Sequence, residues 1–90
     1  MAAYTYIIEC SDGTLYTGWT VDLTKRIDAH NNGTGAKYTR GRAPVKLVYC
    51  ETYDDRQMAQ EREYALKRLT RKEKVALIAT FEHTKKLPCG

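Results

Sequence analysis

Ninety residues, 42% hydrophobic, with a formal net charge of +4, describe one small domain with a modest core and exclude a disordered chain. No signal peptide and no long apolar stretch is recognisable, so a cytoplasmic protein without a membrane partner is expected. Cys10, Cys50 and Cys89 are odd in number and none lie at metal-ligand spacing, which argues against a disulfide framework and a zinc site.

The placing of the charge says more than its sum. Residues 22–46 hold six Lys or Arg against two Asp, residues 47–63 are net acidic, and residues 64–90 are basic again. Two basic blocks around an acidic patch suit a polyanionic partner, chiefly nucleic acid. A surface of this charge is also common in small soluble domains, so charge alone does not decide.

Residues 4–10 and 15–20 are rich in strand formers, with Ser11-Asp12-Gly13-Thr14 between them as a hairpin signal. A two-residue Asp12-Gly13 turn pairs Tyr6 with Trp19 and puts Tyr6 and Tyr16 on opposite faces. A three-residue loop with a left-handed Gly13 pairs Ile8 with Tyr16 and Tyr6 with Gly18. The two tyrosines are then diagonal neighbours on one face, roughly 7–8 Å apart. Local chemistry permits both registers, and a shared site needs the second. Gly18 opposite Tyr6 leaves room for a ring or a ligand.

Asp22 is a suitable N-cap for a helix running to about Asn31, with Leu23 and Ile27 on its apolar stripe. Arg26 and His30 are four residues apart and project together along the edge of that stripe. Residues 32–44 read as a mobile loop, with three glycines and with Lys37, Arg40 and Arg42 around Tyr38. A third strand is expected over 45–53. Asp54 or Asp55 caps a second helix to about Leu69, and Thr70-Arg71-Lys72-Glu73 is a capping box that opens a third. The order β-β-α-β-α-α predicts an α+β domain over residues 1–81, a three-stranded, mainly antiparallel sheet flanked by helices, followed by a tail over 82–90.

Six residues form a spaced set: Tyr6, Tyr16, Gly18, Arg26, His30 and Glu63. Glu63 lies one turn after Ala59 and one turn before Leu66, so it borders the buried stripe, where a carboxylate must be paired, hydrogen-bonded or metal-bound. The plainer reading is a surface pair with Arg62 or with Lys67 at i+4. Arg26 suits a phosphate oxygen but is also an ordinary solvated helix residue. His30 can position water or phosphate, or simply cap carbonyls near the helix end. Tyr6 and Tyr16 can be plain core residues, and a phenol acting as a base needs cationic neighbours.

The ordered set resembles the GIY-YIG endonuclease family. Tyr4-Thr5-Tyr6 stands at the first motif, with Tyr4 and Thr5 replacing its glycine and isoleucine, and Tyr16-Thr17-Gly18 stands at the second. Arg26, His30 and Glu63 follow in the family's order. The runs from Leu15 to Thr20 and from Gly35 to Arg40 are similar to the small stand-alone bacterial branch. The resemblance implies a metal-dependent nuclease in which Tyr6 or Tyr16 orients or activates water and Arg26 contacts the scissile phosphate. His30 would join the catalytic set. Glu63 would be the only protein ligand of one divalent ion, magnesium or manganese. Lys37, Arg40 and Arg42 would hold the nucleic-acid backbone and Tyr38 would stack on a base. DNA is expected ahead of RNA, in DNA repair, with no obligatory protein partner. Larger relatives carry further domains that choose the substrate, and none is expected in ninety residues. The alternative is a nucleic-acid-binding module that cuts poorly or not at all.

Overall fold

The computed structural model describes residues 2–35 and 39–84, with side chains as far as residue 80. Three strands, β1 (Ala3–Glu9), β2 (Leu15–Thr20) and β3 (Lys46–Tyr53), form one sheet in the order β2-β1-β3, antiparallel throughout. Three helices accompany it, α1 (Leu23–Asn31), α2 (Arg56–Lys67) and α3 (Arg71–Thr84). The α+β architecture expected from the order of elements is the one observed.

The central place of β1 explains its composition. Alternate side chains of a strand point to opposite faces, so a strand covered on both sides is apolar on both. Tyr6 and Ile8 enter the core with Leu23, Val45 and Cys50, while Thr5 and Ile7 are equally buried on the other face. There the Thr5 hydroxyl donates to the Ala59 carbonyl of α2 at 2.8 Å, which satisfies a buried polar group and ties that helix to the sheet.

The hairpin adopts the longer loop. Tyr6 pairs with Gly18 and Ile8 with Tyr16, and Gly13 has φ of +83°, a left-handed conformation that glycine adopts without a Cβ clash. Asp12 accepts from the Thr14 amide at 3.1 Å and closes the turn from within.

The helices start where the sequence provides acceptors for orphan amides. Asp22 accepts from Lys25 N at 3.1 Å and Asp55 from Met58 N at 2.8 Å, so Asp55 rather than Asp54 is the cap. Thr70 and Glu73 close the expected capping box, with bonds of 2.9 and 3.2 Å. Two boundaries differ from expectation. α2 stops at Lys67, since Thr70 must leave the helix to cap the next one. α3 runs on to Thr84 rather than ending at 81, since no proline interrupts it before Pro88.

Cys10 is a free buried thiol. Cys50 is buried and disulfide-bonded, although the odd cysteine count argued against a disulfide framework. The described ends of the basic loop are bonded to their neighbours. The Asn31 carboxamide accepts from Val45 N at 2.6 Å, Ser11 N donates to the Arg42 carbonyl at 2.9 Å, and the Arg42 guanidinium pairs with Asp12.

Candidate active site

Strand register brings the first part of the site together. Tyr6 and Tyr16 share a face, and both rings pack edge-on against the His30 imidazole, with centroids 5.9 and 5.3 Å away. Gly18 makes this possible. A Cβ built there would lie 2.5 Å from Tyr6 Oη and 3.2 Å from Tyr16 Cε2, so the space opposite Tyr6 is filled by the tyrosines' own rings.

Helix α1 supplies the second part. Tyr6 Oη and His30 Nε2 share a hydrogen bond of 2.8 Å, and Arg26 Nε donates to the same phenol oxygen at 3.4 Å. The i, i+4 spacing of Arg26 and His30 therefore brings both to one hydroxyl. His30 is fully buried and is not a surface cap. Its second nitrogen, Nδ1, lies 2.8 Å from Thr39 Oγ1, on a threonine only 1% exposed. Gly35 closes the imidazole in, since a Cβ there would lie 2.6 Å from Nδ1.

Burial governs the protonation of this cluster. Burial raises the Tyr6 phenol above its ordinary value, and the opposing bond and charge of Arg26 do not cancel it. Burial also lowers the imidazole of His30, and the charge of Arg26 adds to this. At neutral pH the pair is a protonated phenol beside a neutral imidazole. At Tyr6, burial outweighs the cationic neighbour that a phenol base would need.

Helix α2 supplies the carboxylate. Glu63 lies between the buried Ala59 and Leu66, and its side chain is 21% exposed. Its negative charge acts on Tyr6 and helps to keep that phenol protonated. Its ion-pair partner among the described residues is Lys67, 3.7 Å away, whose ammonium also sits 6.0 Å from the Tyr16 ring centre. The pair with Lys67 proposed from sequence is thus present, but long. Arg62 is not its partner. Arg62 turns to Glu51 on β3 and binds it with two bonds, of 2.9 and 3.2 Å.

Of the four residues expected in the basic loop, two are described. Arg40 is exposed, and Arg42 is engaged by Asp12. Lys37 and Tyr38 lie outside the described residues. Thr39 is the site neighbour that sequence reasoning missed. Its signal was its place between Tyr38 and Arg40, in a stretch read only for charge and stacking.

The donor set bears on a metal. Among the described residues no three His, Cys, Asp or Glu side chains are grouped to hold an ion. The site offers one hard carboxylate with a weakly held lysine. That fits a single divalent ion whose other ligands are water and phosphate oxygens, and does not fit an all-protein cage.

Residues 2–76 match the model of the GIY-YIG catalytic domain. The chain belongs to the GIY-YIG family. It is 61% identical over 77 residues to the UPF0213 protein CPE1444 of Clostridium perfringens, covering 86% of this chain and 83% of that one. It is 54% identical over 74 residues to the UPF0213 protein VNG_2274C of Halobacterium salinarum, covering 82% and 96%. The solution NMR structure of the UPF0213 protein BH0048 from Bacillus halodurans matches the whole of both chains, at 42% identity and a TM-score of 0.59. That of EF2693 from E. faecalis matches 91% of this chain and 88% of that one, at 42% identity and a TM-score of 0.61. These relatives place the chain in the small stand-alone branch, and their names state no activity. The GIY-YIG domain is of nuclease type, acts on nucleic acid and typically uses a divalent metal. No helix among the described residues is long and apolar enough to cross a membrane.

Proposed function

We propose that this GIY-YIG protein hydrolyses phosphodiester bonds of nucleic acid in a reaction that needs one divalent ion, with DNA as its first substrate class. The observation that carries the reading is the state of Glu63. It is a part-buried carboxylate whose charge reaches the Tyr6 phenol, and among the described residues its ion-pair partner is one lysine, Lys67, at 3.7 Å. A carboxylate kept for stability at such a place would be expected to have closer partners.

The residues divide the work by accessibility. Tyr6 is fully buried, and its oxygen is taken up by His30 and Arg26, so its role is to hold those groups in register. Tyr16 is only partly buried, and is the phenol able to orient or accept the proton of an attacking water. Arg26, whose guanidinium also meets Tyr16, would bind a phosphate and stabilise the negative charge that builds up on it. Glu63 would hold magnesium or manganese, which when bound supplies charge stabilisation at the leaving oxygen. Lys67 must give up Glu63 for this, and a 3.7 Å pair is a small loss. Arg40 contributes a backbone contact from the basic loop.

The test is a cleavage screen with magnesium and with manganese on single-stranded, duplex, flap and branched substrates. Metal-dependent cutting that disappears in Glu63→Ala is the expected result. Cutting that survives in that variant would remove the assignment. Binding that needs Arg26, with no cutting on any substrate, would leave a nucleic-acid-binding module.

A further inference from the structure

The hydrogen bonds around His30 determine which nitrogen carries its proton. Tyr6 is fully buried, so water is not available to its hydroxyl. Among the described residues, two groups lie within hydrogen-bond reach of Tyr6 Oη: Arg26 Nε, which only donates, and His30 Nε2. The phenol proton therefore has one acceptor, the Nε2 lone pair. A neutral imidazole with a bare Nε2 carries its proton on Nδ1, and Nδ1 faces Thr39 Oγ1 at 2.8 Å. The polar chain runs in one direction, from Arg26 to Tyr6 to His30 to Thr39. It closes only because Thr39 accepts at the far end. Reversing it would leave the phenol proton without an acceptor in a dry site, which a buried hydroxyl does not tolerate well.

We propose that Thr39 is a positioning residue for the reaction: its hydroxyl holds the His30 imidazole in the Nδ1–H form, so that Nε2 takes the Tyr6 proton and Tyr6 stays oriented toward Arg26. The proton of a histidine is placed by the bond its other nitrogen makes, and here that bond comes from the basic loop. Thr39 immediately precedes Arg40, so a segment proposed to hold nucleic acid also sets the imidazole. The catalytic consequence rests on the nuclease reading above; the tautomer does not.

The experiment compares Thr39→Val, which keeps the shape and removes the hydroxyl, with Thr39→Ser, which keeps the hydroxyl. The His30 ring nitrogens are read by two-bond 15N–1H correlation at neutral pH. The parent is expected to show a protonated Nδ1 and a bare Nε2. Thr39→Val should lose that pattern by mixing or inverting the two forms, and Thr39→Ser should restore it. In the cleavage assay Thr39→Val should lower kcat about 10- to 100-fold, the range seen when a hydrogen-bond partner that orients a functional histidine is lost. KM and nucleic-acid affinity should not change, and Thr39→Ser should recover most of the rate. An unchanged nitrogen pattern in Thr39→Val, or a loss of affinity with kcat intact, would overturn the proposal. If Thr39→Val does not fold, Thr39→Ala removes the same acceptor without added bulk and is read in the same way. If the parent cuts no substrate, the nuclease reading fails, and the nitrogen pattern by itself decides for or against Thr39.

Discussion

The two faces of the sheet carry the same chemical groups in opposite states. On one face Glu51 is bound by both arms of Arg62 and also accepts from the hydroxyls of Tyr49 and Tyr53. Burial alone would raise the Glu51 carboxyl, but the bonds from Arg62, Tyr49 and Tyr53 together hold it below its ordinary value. Burial and the Glu51 bond in turn push both phenols up to about 12. Nothing there is left to react. On the other face Arg26, Tyr6 and His30 bond to one another, and among the described residues the ion-pair partner of Glu63 is Lys67 at 3.7 Å. A phenol, a guanidinium and a carboxylate that satisfy one another make a structural clasp. The same groups held near one another, without doing so, make a site. Arg62 and Glu63 are sequence neighbours that serve the two arrangements. The step of about 100° between successive helix residues turns them to different sides.

Exchanging the loss of charge between the two carboxylates is the strongest way to break this comparison. Glu63→Gln should lower cleavage by orders of magnitude, as expected when a metal's charge stabilisation is lost, with a thermal midpoint near that of the parent. Binding without metal should be unchanged or slightly tighter, since one repulsive charge is gone. Glu51→Gln should do the reverse. Its hydrogen bonds to charged partners would cost about 2 kcal/mol of stability when weakened, while cleavage per folded molecule stays within a few-fold. Denaturant melts and single-turnover rates on the two proteins settle the matter. A catalytic loss in Glu51→Gln, or a large stability loss in Glu63→Gln, would reverse the assignments.

Gly18→Ala tests how tightly the site is built. The added methyl carbon would meet Tyr6 Oη at 2.5 Å and force the phenol off His30. Overpacking of this kind costs about 1–3 kcal/mol, and cleavage should fall together with stability. A melt like the parent's would mean that Tyr6 moves aside at no cost and is not fixed by its partners.

Acid should act on the site face before the clasp face. The fold holds His30 neutral, through burial first and the Arg26 charge second, and its ordinary value is 6.5. Above 6.5 folded and unfolded chains both carry the neutral ring, so its share of stability is complete. Between 6.5 and the lower folded value the unfolded chain takes up a proton that the fold excludes, and stability falls as pH falls. The thermal midpoint should begin to drop below 6.5, and His30→Gln should flatten that part of the curve. The Glu51 clasp should weaken only at lower pH, near the carboxylate range, because its folded value is depressed from 4.5. A curve flat down to carboxylate pH would show that His30 charges without cost and is not enclosed as described.

The smallest effect concerns the loop. Arg40 is exposed, and its replacement by Gln should reduce the slope of log affinity against log salt by about 0.9 if it meets one phosphate. Arg42 is engaged by Asp12, so Arg42→Gln should change that slope less, and should also lose a surface pair worth about 0.2–1 kcal/mol. Equal slopes for the two variants would mean that Arg42 leaves Asp12 when nucleic acid binds.

Much of this protein was legible in the order of its residues, because the forces concerned act over three or four positions. Asp22, Asp55 and the Thr70–Glu73 box cap helices through their own nearest amides. Gly13 allows the left-handed turn, and the family's spaced set marked Tyr6, Tyr16, Arg26, His30 and Glu63 as candidates. The sequence alone left two hairpin registers open, since both satisfy local turn chemistry. Tertiary structure chose between them, because only one brings the Tyr6 hydroxyl to His30 and Arg26 on α1. It also decided that Tyr6 is a buried protonated phenol, that Thr39 reaches His30 across nine positions, and that Arg62 belongs to Glu51 eleven positions away. Such pairings depend on which surfaces meet when the sheet and helices close over one core. No local pattern encodes them, because a hydrogen bond between distant residues has no period along the chain.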